Sequence, residues 1–322
     1  MSNTAQAQLG AVLEAGGSEL AGMLERTEAR LAEVVDGHGS ELAGHAGGTL
    51  AAGGKRLRPL LVFLCASEPD ERLVAAGAAV ELLHMATLVH DDVLDGAELR
   101  RGRPTVFAQG GRAAATATGD LLFSRAFAEL VATGSEHAVR ALSAASSALA
   151  RGELMQRADA WSKDVTPDRY LERCRLKTAS LFEASCRLGA LFGGRPKLAD
   201  PLGSFGERLG VAFQMLDDVL DVSGPPERTG KPRGADLLDG TVTLPLILAR
   251  RHDQSLSGTV RCDEEAAATC DRIAATGALD EAREQALGYV SEAKRVLDGL
   301  ELSEQRARAL HLVADGVVER YA

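Results

Sequence analysis

Basic residues are the scarcer charge in this chain. Lys and Arg number 36 against 46 Asp and Glu in 322 residues, a net charge of −10. General binding to nucleic acid or to an anionic membrane is therefore not expected, since both need a positive surface. Positive charge that does cluster should mark a local anion site. Cysteine is also sparse: Cys65, Cys174, Cys186, Cys262 and Cys270 are odd in number and widely spaced, with no CxxC pair. That excludes a disulfide framework and a zinc site, and reads as small core thiols in a reduced, cytoplasmic protein. Residues 1–9 lack the basic and apolar regions of a secretory signal. No apolar run is expected to reach the ~18 residues of a membrane span, so no integral membrane segment is expected.

Strand signals are missing too. No segment alternates with period two for long, and no Asn-Gly or Asp-Gly turn separates β-branched runs; Asp239-Gly240 falls in a loop. No Ser/Pro linker divides the chain. Apolar residues instead recur three and four apart over 20–35, 73–94, 113–130, 138–158, 171–191, 202–220, 244–250 and 278–297. We read an all-α chain, one domain over residues 1–322, of about ten helices.

Within this pattern one stretch occurs twice. Asp91-Asp92-Val93-Leu94-Asp95 returns as Asp217-Asp218-Val219-Leu220-Asp221, each time after an apolar run free of Gly and Pro. On a helix advancing about 100° per residue, the three carboxylates of each copy lie within an arc of roughly 100°. A charge run usually means a solvated face. Two identical runs at the ends of apolar helices need another explanation. Crowded carboxylates repel, and burial raises their pKa values. A divalent cation removes the conflict. Mg²⁺ takes oxygen ligands, keeps several waters, and uses one or two carboxylates plus substrate phosphates. The pair points to a pocket that holds a phosphorylated ligand through metal ions.

Basic and polar residues flank the breaks in the helical pattern. Lys55, Arg56 and Arg58 follow Gly53-Gly54, where backbone can approach an anion closely. Arg100, Arg101 and Arg103 follow the first aspartate cluster; a plain salt-bridge network is the alternative there. His84 lies two turns before Asp91 on nearly the same face, a position where a core histidine is the ordinary reading. His90-Asp91 resembles the start of a metal phosphohydrolase site, but His38, His45, His137, His252 and His311 supply no further ligand spacing. Lys177-Thr178 is expected mid-helix, and the long connection 222–240 after the second cluster is expected to act as a lid.

Taken together, these residues resemble a trans-isoprenyl diphosphate synthase of the polyprenyl synthetase family. The resemblance runs from Gly53 to Pro245. Gly-Gly-Lys-x-x-Arg-Pro is matched at Gly53, Gly54, Lys55, Arg58 and Pro59. The first aspartate-rich motif and its trailing residues are Asp91, Asp92, Asp95, Arg100, Arg101, Gly102, Pro104 and Thr105. Lys177-Thr178 follows. Phe-Gln-x-x-Asp-Asp-x-x-Asp is Phe213, Gln214, Asp217, Asp218 and Asp221, then Gly230-Lys231 and Gly234-x-Asp236. An intact second aspartate motif favours chain elongation over terpene cyclisation.

The resemblance implies an isoprenoid synthase-like bundle around a central apolar cavity, a homodimer, and Mg²⁺ held by Asp91, Asp95 and Asp217. Asp92, Asp218 and Asp221 would be further ligands or supports. Arg100, Lys177, Gln214 and Lys231, with Thr178, would complete the site for an allylic diphosphate. Lys55, Arg58, His84 and Arg101 would bind isopentenyl diphosphate. Metals and cations would stabilise the leaving diphosphate as its charge develops, and carbonyls near Lys177 and Thr178 the allylic cation. In this family a bulky residue about one turn before the first Asp closes the product tunnel; here Ala86 and Thr87 stand there, with Leu83, Leu82 and Ala79 behind them. A product longer than geranylgeranyl is expected, with Phe123 and Phe127 as a deeper floor. The competing readings are geranylgeranyl diphosphate synthesis, a non-catalytic subunit that modulates a partner synthase, and a phosphohydrolase.

Overall fold

The computed structural model describes residues 3–51, 56–100, 102–224, 233–256 and 258–319. Lys55, Arg101 and Lys231, and residues 225–232 of the expected lid, lie outside the described residues. The chain runs through α1 (Asn3–Gly16), α2 (Ser18–Asp36), α3 (Ser40–Ala51), α4 (Leu57–Cys65) and α5 (Glu71–Asp95). A two-residue hairpin follows, β1 (Leu99–Arg100) and β2 (Arg103–Pro104), then α6 (Val106–Val131), α7 (Glu136–Ala158) and α8 (Pro167–Cys174). A π turn (Arg175–Ala179) joins α8 to α9 (Ser180–Phe192), and α10 (Ala199–Ser223) comes next. The last part holds α11 (Ala235–Leu238), α12 (Leu244–Ala249), α13 (Asp263–Ala275), α14 (Ala278–Asp298) and α15 (Glu304–Glu319). The all-α class stands. The helices outnumber the ten expected: α1, α3 and α13 lie outside the periodic ranges, and the range 171–191 divides into α8, a π turn and α9.

Local chemistry sets the ends of the central helices. Asp70 caps α5 by accepting from Arg72 N at 2.7 Å, with Glu71 in the first turn. Gly96 stops it in the left-handed region at φ 62°, which glycine enters without steric cost. Thr105, Ser135 and Thr166 cap α6, α7 and α8 in the same way. Pro167 at the first position of α8 loses no intrahelical bond.

Packing puts α5 at the centre. It lies along α6 and touches α2, α4 and α9, and it is apolar nearly all round, the mark of a buried helix. By length and composition α5 is long and apolar enough to cross a membrane, contrary to the reading of the sequence. Yet 72% of its apolar window is buried inside the protein, so its apolar faces are already used. On the other side α10 packs against α9 and α14. One continuous core of buried side chains runs from Val12 to Val317.

The segment 171–191 departs from a plain helix. Its middle, Arg175–Ala179, is a π turn, a local widening found often at functional sites. Two glycines let neighbouring helices close on it. A Cβ at Gly152 of α7 would stand 2.6 Å from Lys177 N, and one at Gly210 of α10 would stand 2.5 Å from Ala179 Cα. The π turn is thus clasped between α7 and α10 at backbone contact. The hairpin was not foreseen either; its strands are too short for any alternation, pairing Leu99 with Pro104 and Arg100 with Arg103.

Candidate active site

Both aspartate clusters lie at helix C-termini, where the macrodipole is already negative. Carboxylates there are disfavoured unless a cation answers them. Around the first cluster the structure supplies several. Asp92 is buried, and Arg100, turned back by the hairpin, donates to it through Nε at 2.8 Å. The salt bridge considered as the plain alternative therefore forms for this pair. Asp91 is half-buried. Burial pushes its carboxyl up to about 6; Lys177 pulls it down, while Glu153 and Asp95 add to the rise. Asp95 is exposed and receives Arg157 Nη2 at 2.5 Å.

Lys177 reaches this cluster from the π turn. Its Nζ pairs with Glu153 and stands 3.3 Å from Gln156 Oε1. Burial alone would lower its pKa, but Asp91 and Glu153 outweigh that and hold the ammonium above its ordinary range. Glu153, Gln156 and Arg157 were not singled out from the sequence. Their spacing of three and four on one helix face was the available signal, and it is common on solvated helices.

The second cluster is built differently. Asp218 is fully enclosed and accepts from Tyr170 OH at 2.6 Å and from Gln214 Nε2 at 2.7 Å. Burial, then the nearby Asp236, push its carboxyl well above the usual range. Thr178 Oγ1 donates to Gln214 Oε1 at 2.7 Å, so a chain of bonds runs from the π turn to Asp218. Asp221 is half-buried and accepts from Asp236 N at 3.3 Å; Asp217 is exposed. Tyr170, one of three tyrosines, also escaped the sequence reading.

A match to the pattern of the family described as polyprenyl synthetase covers residues 41–275. The chain belongs to the polyprenyl synthetase family. It is 41% identical over 266 residues to "Heptaprenyl diphosphate synthase component 2" of Geobacillus stearothermophilus, covering 80% of this chain and 83% of that one. It is 36% identical to "Geranylgeranyl diphosphate synthase" of Methanosarcina mazei, over 84% and 86% of the two chains. Among solved structures it resembles a polyprenyl synthase from Caulobacter crescentus complexed with calcium and isoprenyl diphosphate. That match has a TM-score of 0.88 and 33% identity, over 98% of both chains.

Of Lys55, Arg58 and Arg101, Arg58 lies among the described residues. Its guanidinium carbon lies 4.9 Å from the Phe182 ring centroid, and its Nε has no hydrogen-bond partner. Burial lowers its pKa to about 10, partly offset by Glu81. A half-buried cation with a buried, unpaired Nε–H suits an anion. Arg56 does not share that role. It sits at φ 46°, uncommon for a side-chain-bearing residue, held by Glu28 and Glu81. His84 is half-buried on α5, and its carbonyl accepts from Thr87 Oγ1 at 2.7 Å.

The donor set fits Mg²⁺. Every candidate ligand is a carboxylate oxygen, the hard donor Mg²⁺ prefers. Among the described residues no three acidic, His or Cys side chains form a ready-made cage. That is the arrangement expected where substrate phosphates supply the remaining ligands. A cavity of about 330 Å³ lies elsewhere, lined by Trp161, Gly240, Thr241, Val242 and Arg250, and includes neither cluster.

Proposed function

We propose that the chain is a Mg²⁺-dependent trans-polyprenyl diphosphate synthase. It elongates an allylic diphosphate by head-to-tail condensation with isopentenyl diphosphate, to a product longer than geranylgeranyl. The observation that carries this is the π turn, whose adjacent Lys177 and Thr178 serve one aspartate cluster each. Family membership and the name of the heptaprenyl relative support it.

Asp91, Asp95, Asp217 and Asp221 would hold the metal, which when bound stabilises charge growing on the leaving diphosphate. Asp92 and Asp218, buried and already bonded, keep the ends of α5 and α10 in place. Lys177, held protonated, brings a cation to the allylic diphosphate, together with Gln214 and Lys231. Arg58, with Lys55, His84 and Arg101, takes isopentenyl diphosphate. Ala86 and Thr87 are small side chains on α5, the first closely packed and the second half-buried; product length rests on their lack of bulk. The geranylgeranyl relative makes the shorter product the alternative.

The protein would work in the cytoplasm. It would do so as a homodimer, which the partly exposed Phe123 and exposed Val131 on α6 support. The relative named component 2 makes assembly with a different subunit the second reading. Purified protein incubated with Mg²⁺, labelled isopentenyl diphosphate and a series of allylic primers tests all of this. Extension supports the synthase and reads its product length. Diphosphate release without extension refutes it, and inactivity until a partner is added supports the subunit.

A further inference from the structure

Arg157 gathers carboxylates from three parts of the chain. Its Nη2 donates to Asp95 Oδ1 at 2.5 Å on α5, and its Nε to Glu153 Oε1 at 2.7 Å on its own helix. Its Nη1 donates to Asp239 Oδ1 at 3.2 Å, in the turn after α11. One guanidinium therefore ties the last acid of the first cluster to the segment that follows the second. The planar fork of an arginine, with five donors, suits this; a lysine would not span it.

The side chains of Arg157, Asp95 and Asp239 are 30%, 35% and 31% exposed. Water reaches all three, so these bonds can exchange without exposing a dry, unpaired charge. A divalent cation arriving at Asp95 meets a positive charge already in contact with the same carboxylate, and like charges oppose each other. Without Arg157, Asp95, Glu153 and Asp239 would draw a cation more strongly.

We propose that Arg157 is a built-in counter-ion that competes with the divalent metal for Asp95. It steadies the metal-free protein by tying α5 to the 239 turn, and it weakens metal binding. It is a positioning residue, not a group that touches the reacting atoms. The inference rests on Asp95 being a metal ligand, as proposed above.

Mn²⁺ titration followed by electron paramagnetic resonance tests it, alongside thermal unfolding in chelator. Arg157→Leu should bind Mn²⁺ roughly two- to fivefold more tightly, the scale of a part-exposed ion pair, and its metal-free form should unfold at lower temperature. Arg157→Gln keeps the stem and a donor without the charge, and should show the same tighter binding if the leucine variant folds poorly. Unchanged or weaker Mn²⁺ binding in both variants overturns the inference. Asp95→Asn separates the two layers. If it binds Mn²⁺ as the unmodified protein does, Asp95 is no ligand and both readings fall. If it binds more weakly while the Arg157 variants are unchanged, this inference falls and the metal assignment stands.

Discussion

Lys177 and Thr178 are neighbours in the chain, yet they serve different aspartate clusters. Lys177 answers Asp91 and Glu153, and Thr178 reaches Asp218 through Gln214. In a regular helix adjacent side chains already diverge by about 100°. Here the π turn and its close clasp by Gly152 and Gly210 set both at once. A single turn of backbone therefore carries one residue toward each cluster.

Asp91 carries the strongest functional expectation. Replacing it with Ala should cost at least ~100-fold in turnover, the loss seen on removing one preorganised electrostatic group. Initial rates of labelled isopentenyl diphosphate incorporation measure this. Near-normal turnover refutes the metal assignment.

Gly152 should tolerate no larger residue. A side chain there runs into the backbone of Lys177, which cannot move without shifting the turn. Gly152→Val should cost ~1–3 kcal/mol of stability, as overpacking does, and displace Lys177 from Asp91. Denaturant unfolding gives the first effect and incorporation kinetics the second. A variant as stable and active as the unmodified chain would show that the clasp does not set the site.

The Tyr170 hydroxyl is expected to matter chiefly through Asp218. Tyr170→Phe keeps the ring in its buried place and removes one of two donors to an enclosed carboxylate. The loss should be ~1–3 kcal/mol, the cost of leaving a buried acceptor short of a partner. Equal denaturant midpoints for the two proteins would mean that Asp218 finds another donor.

Ala86 bears on product length. Ala86→Phe should shorten the product by closing the space along α5, with the total rate less affected than the chain length. Radio-chromatography of the products decides it; an unchanged distribution counts against a tunnel beside Ala86. Circular dichroism of the variant guards against misfolding, since Ala86 is fully buried.

Much of this was legible in residue order. Hydrophobic period is a local property, so α2, α5, α7 and α10 could be traced within a few residues of their ends. The aspartate clusters announced themselves by repetition, and their position at helix ends followed from the runs before them. The sequence by itself thus determined an all-α chain with two acidic helix ends and the family motifs around them.

Tertiary structure decided which partner each charge takes. Arg157 meets Asp95 across 62 positions and Asp239 across 82, and Tyr170 meets Asp218 across 48. No periodicity encodes such pairings, because they depend on how separate helices dock. The same holds for Arg56, which sequence placed among phosphate binders and packing committed to Glu28 and Glu81. The π turn also belongs to the packed state: 171–191 reads as one helix until α7 and α10 close on it at two glycines.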